Sequence, residues 1–185
     1  MCTVAVGPRA RACPPRRLDD DGVPVDLTIT PATQDDVPVI LLFIRMLADY
    51  EKLSHAVVAD EPTLRRTLFG ERPYAEVLVA RAEGAPAGFA LFFHNYSTFL
   101  ARPGLYLEDL FVVPAMRGRG IGKAMLREVA RIARERGCGR LEWSVLNWNT
   151  PAIEFYEALG ARPLAEWTTY RMTDDVIAKV AEGGR

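Results

Sequence analysis

From residue 105 the chain reads Leu-Tyr-Leu-Glu-Asp-Leu-Phe-Val-Val, and beyond Pro114 it opens into a long helical stripe. Glu108 interrupts the apolar run, yet the pattern still predicts a strand over residues 106–113. A helix over 118–136 follows, closed by Gly137. Earlier, Leu27, Thr28 and Ile29 predict a short strand that Pro31 ends. Thr33, Asp35 and Asp36 then signal a helix start, with Pro38 tolerated in its first turn. Ile40, Leu41, Ile44, Leu47 and Ala48 share one face of that helix, which should end near Lys52. A second helix is capped at Asp60, carries Pro62 early and stops at Gly70. Residues 76–81 and 88–95 predict a hairpin turning at 83–86. Downstream, residues 140–146 predict a strand, 150–159 a helix stopped by Gly160, and 164–172 a last strand. The order is βααβββαβαβ, an α/β chain whose mixed sheet carries helices on both faces. Its closing elements alternate as parallel crossovers require.

The 185 residues, 49% of them hydrophobic, can bury one substantial core. Residues 26–185 are therefore expected to form one domain. Residues 1–25 differ: Pro8, Pro14 and Pro15 accompany Arg9, Arg11, Arg16 and Arg17 and the acidic run Asp19, Asp20 and Asp21. They read as a disordered extension. They lack the apolar core of a signal peptide, and their acids fit poorly with a transit peptide. The net charge of −1 and a pI of about 6.2 do not direct the chain toward nucleic acid or an anionic membrane. The longest apolar run, residues 37–44, is too short to span a bilayer. Cys2, Cys13 and Cys138 are odd in number and widely spaced, and no His cluster accompanies them. That pattern points to neither a disulfide framework nor a metal site, and it suggests a reducing, cytoplasmic setting.

The segment after the 106–113 strand holds the candidate chemistry. A helix start normally attracts acids, because its open N–H groups carry partial positive charge. Here it gathers Arg117, Arg119 and Lys123 around Gly118, Gly120, Ile121 and Gly122. Glycines permit close backbone approach, and cations beside bare N–H groups suit an anion such as a pyrophosphate. A nucleoside-triphosphate loop is excluded, since the required Gly and Ser/Thr positions hold Arg117 and Ala124. A dinucleotide fingerprint fails at Lys123. A glycine-rich turn with solvated arginines stays open on this segment alone.

Two signatures resolve that alternative. Arg117, Gly120 and Gly122 fit the pattern Arg/Gln-x-x-Gly-x-Gly/Ala, and Asn149, Ala152, Tyr156 and Gly160 fit Asn-x-x-Ala-x-x-x-Tyr-x-x-x-Gly. With the element order, they make residues 26–172 resemble the GNAT superfamily of N-acetyltransferases. The stretches Ala48-Asp49-Tyr50-Glu51, 105–109 and Trp148-Asn149 look most like its diamine acetyltransferases. The resemblance implies a GNAT-like acyl-CoA N-acyltransferase fold, acetyl-CoA as donor, a primary amine as acceptor, no metal and a homodimer. It assigns Leu110, Phe111 and Val112 to the donor's pantetheine arm and thioester, Arg117 to Lys123 to its pyrophosphate, and Asn149 and Ala152 to further donor contacts. Tyr50, Glu51, Glu108 and Trp143 are assigned to the acceptor.

The residue chemistry is compatible with these roles. An alkylamine attacks only when neutral, yet its reference pKa is about 10.4, so a proton acceptor is needed. Glu108 and Glu51 are the candidates, with a salt-bridged strand residue and a solvated helix end as the plain alternatives. Tyr156 matches the acid that protonates the leaving thiolate, although its spacing with Ile153 and Leu159 also suits a core aromatic. Asn149 also precedes Pro151, where it could cap a helix. Where polyamine enzymes carry acids and Trp, this chain has Ser97 and Phe99, then Thr168 and Tyr170. With fewer carboxylates, a small amine or amino acid is the expected acceptor rather than a long polycation.

Overall fold

Asp36 sets the start of the first helix. Its carboxylate accepts hydrogen bonds from the Thr33 amide at 2.8 Å and the Thr33 hydroxyl at 3.2 Å, and it pairs with Arg81. A 3-10 turn at Gln34–Asp36 thereby leads into α1 (Val37–Tyr50), with Pro38 in the first turn as the sequence implies. The second helix, α2 (Glu61–Phe69), is capped by Asp60, whose Oδ1 accepts from the Thr63 amide at 2.9 Å.

The computed structural model describes residues 26–183, so the expected extension over 1–25 lies outside the described residues. The chain divides into two compact units that meet in sequence between Ser144 and Val145. The first unit holds β1 (Thr28–Pro31), α1, α2, β2 (Glu76–Ala82), β3 (Ala85–Ser97), β4 (Arg102–Val112), α3 (Ile121–Glu135) and β5 (Leu141–Trp143). Its strands form one sheet in the order β1-β2-β3-β4-β5. All neighbours are antiparallel except β4 and β5, which run parallel, so the sheet is mixed as the element order predicts.

Residue alternation separates the two faces. Val77 and Val79 of β2, Phe89 of β3 and Phe111 of β4 join Val37, Ile40, Leu41 and Phe43 of α1 and Leu64 and Leu68 of α2 in one buried cluster. Phe43, Phe89 and Phe111 meet with ring centroids 5.8 to 6.5 Å apart. Burying each such ring stabilises the fold by about 1.5–3 kcal/mol. Phe43 extends the apolar face of α1 beyond the five positions read from periodicity. The opposite sheet face carries α3, whose Ile121, Met125, Leu126, Val129 and Ala133 are buried.

The second unit contains α4 (Thr150–Ala158) and α5 (Asp174–Ala181). Here the structure corrects the sequence reading. Residues 164–172 form no strand; a turn in which Leu164 accepts from the Trp167 amide at 3.2 Å interrupts them. Leu164, Trp167, Tyr170 and Met172 are all exposed. A strand's backbone groups must be paired across a ladder, and aromatic content cannot supply the partner. The final element is instead α5, which lies beyond the expected strand and is started by Asp174 and Asp175 after Thr173. The order becomes βααβββαβαα. The predicted strand over 140–146 also shortens to Leu141–Trp143, and α3 begins at Ile121 rather than Gly118.

Candidate active site

The register of β4 changes at Glu108. Asp109 lies opposite Leu91 of β3, but the next pair is Leu107 with Phe92, so Glu108 is an extra residue in a β-bulge. Strict alternation would put Leu107, Asp109 and Phe111 on one face. The bulge separates them. Leu107 stays buried opposite Phe92, while Asp109 sits beside Leu91, which packs against the α1 cluster. Glu108 is exposed at the bulge.

The same region of β4 loses its other neighbour. β5 pairs with β4 only from Leu105 to Leu107, opposite Leu141 to Trp143. From Glu108 to Val112, β4 continues with no strand on that side among the described residues. β4 and β5 therefore part after Leu107. Leu110 and Val112 are half-buried along this stretch of β4, whereas the Phe111 side chain belongs to the core. The Val112 carbonyl accepts a 3.0 Å hydrogen bond from Arg117 Nε.

Arg117 is engaged by the protein's own groups. Its guanidinium lies over the Tyr50 ring, 4.6 Å from the centroid, and 5.8 Å from that of Phe111. This stack ties the end of α1 to the loop after β4. Arg119 is likewise engaged, 2.5 Å from Glu83 in the β2–β3 turn. Among the three cradle cations, Lys123 has no side-chain hydrogen bond or ion pair among the described residues. The glycines behave as the motif requires: Gly118 and Gly120 have φ of 72° and 73°, and Gly120 is the N-cap of α3 with no side chain to cap it. The first α3 amides are thus presented with glycine rather than a bulky side chain beside them. Ile121 anchors the turn by burying its side chain.

Three carboxylates converge where α1 ends and β4 bulges. Burial pushes Asp109 up to about 7, and the negative charges of Glu108 and Glu51 add to the rise. Glu51, half-buried at the C-cap of α1, is raised by burial as well. The structure therefore joins Glu51, Glu108, Tyr50 and Arg117 in one region and adds Asp109, which pattern reasoning passed over as part of a strand. Its only sequence signal was a second acid within an apolar run. Trp143 is not brought to this group: paired with Leu107, it lies on the α3 side of the sheet.

In the second unit, Asn149 occupies the N-cap of α4, though its side chain makes no capping bond. Ala152 and Tyr156 lie on the helix that follows. The Tyr156 ring packs against Phe155 at 5.2 Å, and burial pushes its hydroxyl up to about 12, so it holds its proton at neutral pH. Ser97, at the position where an acid was expected, is buried and accepts the Leu100 amide at 3.2 Å, while Phe99 is exposed at the hairpin tip. Among the described residues, no group of three His, Cys, Asp or Glu side chains could hold a metal.

Residues 44–161 match the model of the Acetyltransferase (GNAT) family. The chain belongs to the GNAT acetyltransferase family. It is 40% identical to thialysine N-epsilon-acetyltransferase of Bos taurus over 164 residues, spanning 83% of this chain and 96% of that protein. It is 35% identical to L-ornithine N5-acetyltransferase of Arabidopsis thaliana over 194 residues, covering 80% of this chain and 85% of the relative. The integron cassette protein from the mobile metagenome of V. cholerae superposes with a TM-score of 0.72 at 26% identity, covering 85% of this chain and 99% of that one. This GNAT chain is an N-acetyltransferase.

Two measurements test the GNAT site. At Gly120 any side chain must adopt φ of 73°, at a cost of about 1–2 kcal/mol. A Cβ at Gly122 would meet only Val112 Cγ2, at an ordinary 3.7 Å. Gly120→Ala should therefore lower the denaturation midpoint and Gly122→Ala should not; equal midpoints would contradict the left-handed N-cap. For Asp109, the folded pKa of about 7 exceeds the ordinary 3.8, so the native state binds the extra proton between them. Its contribution is full below pH 4 and lost as pH rises through 7, by up to about 4 kcal/mol. Asp109→Asn should accordingly be more stable than wild type at pH 8, the gap closing toward pH 4. A pH-independent difference in urea unfolding would show that Asp109 is not held in this way.

Proposed function

We propose that the chain transfers an acetyl group from acetyl-CoA to a primary amine of a small molecule, a diamine or amino-acid-like amine, by direct attack. The observation that carries this reading is the convergence of Glu51, Glu108 and Asp109 beside the open edge of β4, the strand that leads on to an uncapped, glycine-lined helix start. The donor supplies an activated thioester. Its pyrophosphate suits the amides of residues 118–122 and the Lys123 ammonium, and its pantetheine amides suit the edge of β4 that β5 leaves open after Leu107. Those β4 amides could also stabilise the thioester oxygen as it gains charge. Asn149 and Ala152 take donor contacts on the strength of the second signature.

The acceptor arrives as an ammonium, and a cation beside the three carboxylates favours their ionised forms. Glu51 and Glu108 hold it and pass its proton to water, with Tyr50 completing the acceptor contacts. The amine nitrogen then bonds to the acetyl carbon, the C–S bond breaks and coenzyme A leaves as thiolate. Tyr156 donates the proton that the thiolate takes up, a transfer the thiolate's site must drive because burial strengthens the O–H bond's hold on it. The acceptors for which these relatives are named, thialysine and L-ornithine, are amino acids with a second amine and support the small-amine class.

Thiol release should follow when purified protein and acetyl-CoA meet ornithine-like amino acids or short diamines. Reaction with peptides alone would overturn the acceptor class. Tyr156→Phe should reduce turnover about 10²- to 10⁴-fold with unchanged acetyl-CoA affinity; full turnover with chemistry rate-limiting would return Tyr156 to the core.

Residues 26–185 are read as one transferase domain, which the family match supports by running across the boundary at Ser144. The free Cys138 suits the cytoplasm. A homodimer is the proposed working form, supported by exposed Leu164, Trp167, Tyr170 and Met172. Sedimentation should give twice the chain mass at micromolar concentration, and a monomer there would remove the dimer from the proposal.

A further inference from the structure

The turn between β2 and β3 is built from an unfavourable residue. Ala82 pairs with Ala85, so Glu83 and Gly84 form a two-residue hairpin loop, with φ of 56° and 73°. Positive φ at both positions defines the type I′ turn, for which Asn-Gly or Gly-Gly is preferred. Glutamate has neither glycine's freedom nor asparagine's short side chain, and a left-handed non-glycine residue of this kind costs about 1–2 kcal/mol. Strain of this sort directs attention to what the side chain does.

The Glu83 carboxylate reaches Arg119, which lies 36 residues later between Gly118 and Gly120. The Arg119 side chain is only 10% exposed, its Nη1 donates to the Met116 sulfur, and its buried Nε has no hydrogen-bond partner among the described residues. Gly118 and Gly120 carry no side chains and can adopt many conformations. Arg119 is thus the one side chain within this Gly-x-Gly segment able to anchor it. Glu83 is the anionic partner seen for that anchor.

We propose that Glu83 is a positioning residue for donor binding: through Arg119 it holds the Gly118–Gly120 backbone in the left-handed conformation that presents the first α3 amides to the donor's pyrophosphate. The inference rests on the acetyl-CoA reading above and extends it to a residue outside both family signatures. It also reassigns Arg119 from phosphate cation to loop anchor. Without Glu83 the loop samples other conformations, and the donor must order it on binding, which weakens affinity. The opposite effect is also physically available. A carboxylate near an anion site repels the ligand, so if repulsion governed, losing Glu83 would tighten binding.

Glu83→Asn separates these effects from folding, because Asn-Gly is the preferred type I′ pair and the turn itself should be as stable or more so. The measurements are coenzyme A affinity by calorimetry, the donor and acceptor KM with kcat, and thermal stability, each beside wild type. The expected result is a Tm equal to or above wild type, a roughly tenfold loss in coenzyme A affinity with a matching rise in donor KM, and little change in acceptor KM or in kcat at saturating donor. Glu83→Asp, which keeps the charge on a shorter arm, should recover part of the affinity. Unchanged or tighter coenzyme A binding by Glu83→Asn, while wild type binds normally, overturns the positioning role alone. If wild type itself binds no coenzyme A, the donor reading fails and this inference fails with it.

Discussion

A strand's faces and edges are set by its pairing, and β4 changes both at Glu108. The bulge there lets Leu107 stay under α3 while Asp109 and Phe111 turn toward α1. One residue earlier, the parallel ladder to β5 ends. These two events open a polar strand edge next to a face that carries acids. A regular ladder continuing to Val112 would satisfy that backbone and leave it with nothing to offer a ligand. The bulge thus converts a core strand into the wall of a site, and the packing of Phe43, Phe89 and Phe111 holds it there.

Charge is distributed unevenly around this opening. Where α1 ends and β4 bulges, three carboxylates crowd together, and burial with the neighbouring charges raises Asp109 to about 7. Such crowding destabilises the protein, and a nearby cation would relieve it. On the loop side, two of three cations are already engaged: Arg117 on the Tyr50 ring and Arg119 on Glu83. Both contacts tie the loop to the body of the fold, and in the proposed site the anion meets the backbone amides. The Arg117 stack also connects the loop physically to Tyr50, next to Glu51, so the two halves of the site share one support.

Signals that act over a few residues were readable in the chain. Asp60 caps α2, and Gly137 and Gly160 turn with φ of 68° and 88° just past α3 and α4. In each case the conformation is imposed by a residue's own steric map or by an amide three positions away, so neighbouring sequence suffices. The apolar stripes of α1 and α3 were legible for the same reason, since a helix repeats its face every few residues. The two GNAT signatures lie at such local transitions.

Contacts between distant residues decided the rest. Residues 164–172 have the composition of a strand, but pairing depends on a partner that composition does not specify, and they remain outside any ladder. The extra residue at Glu108 is defined only against Leu91 and Phe92 of another strand. Asp109 became an ionisable site residue through its surroundings on α1 and the bulge, and Arg119 acquired its anchoring role from Glu83 across the fold. The sequence by itself determined the first four helices, the turns and the acetyltransferase signatures, because local sterics and hydrogen bonds write them. Only the tertiary structure decided strand register, face and charge environment, because those are properties of pairs of segments brought together by burial.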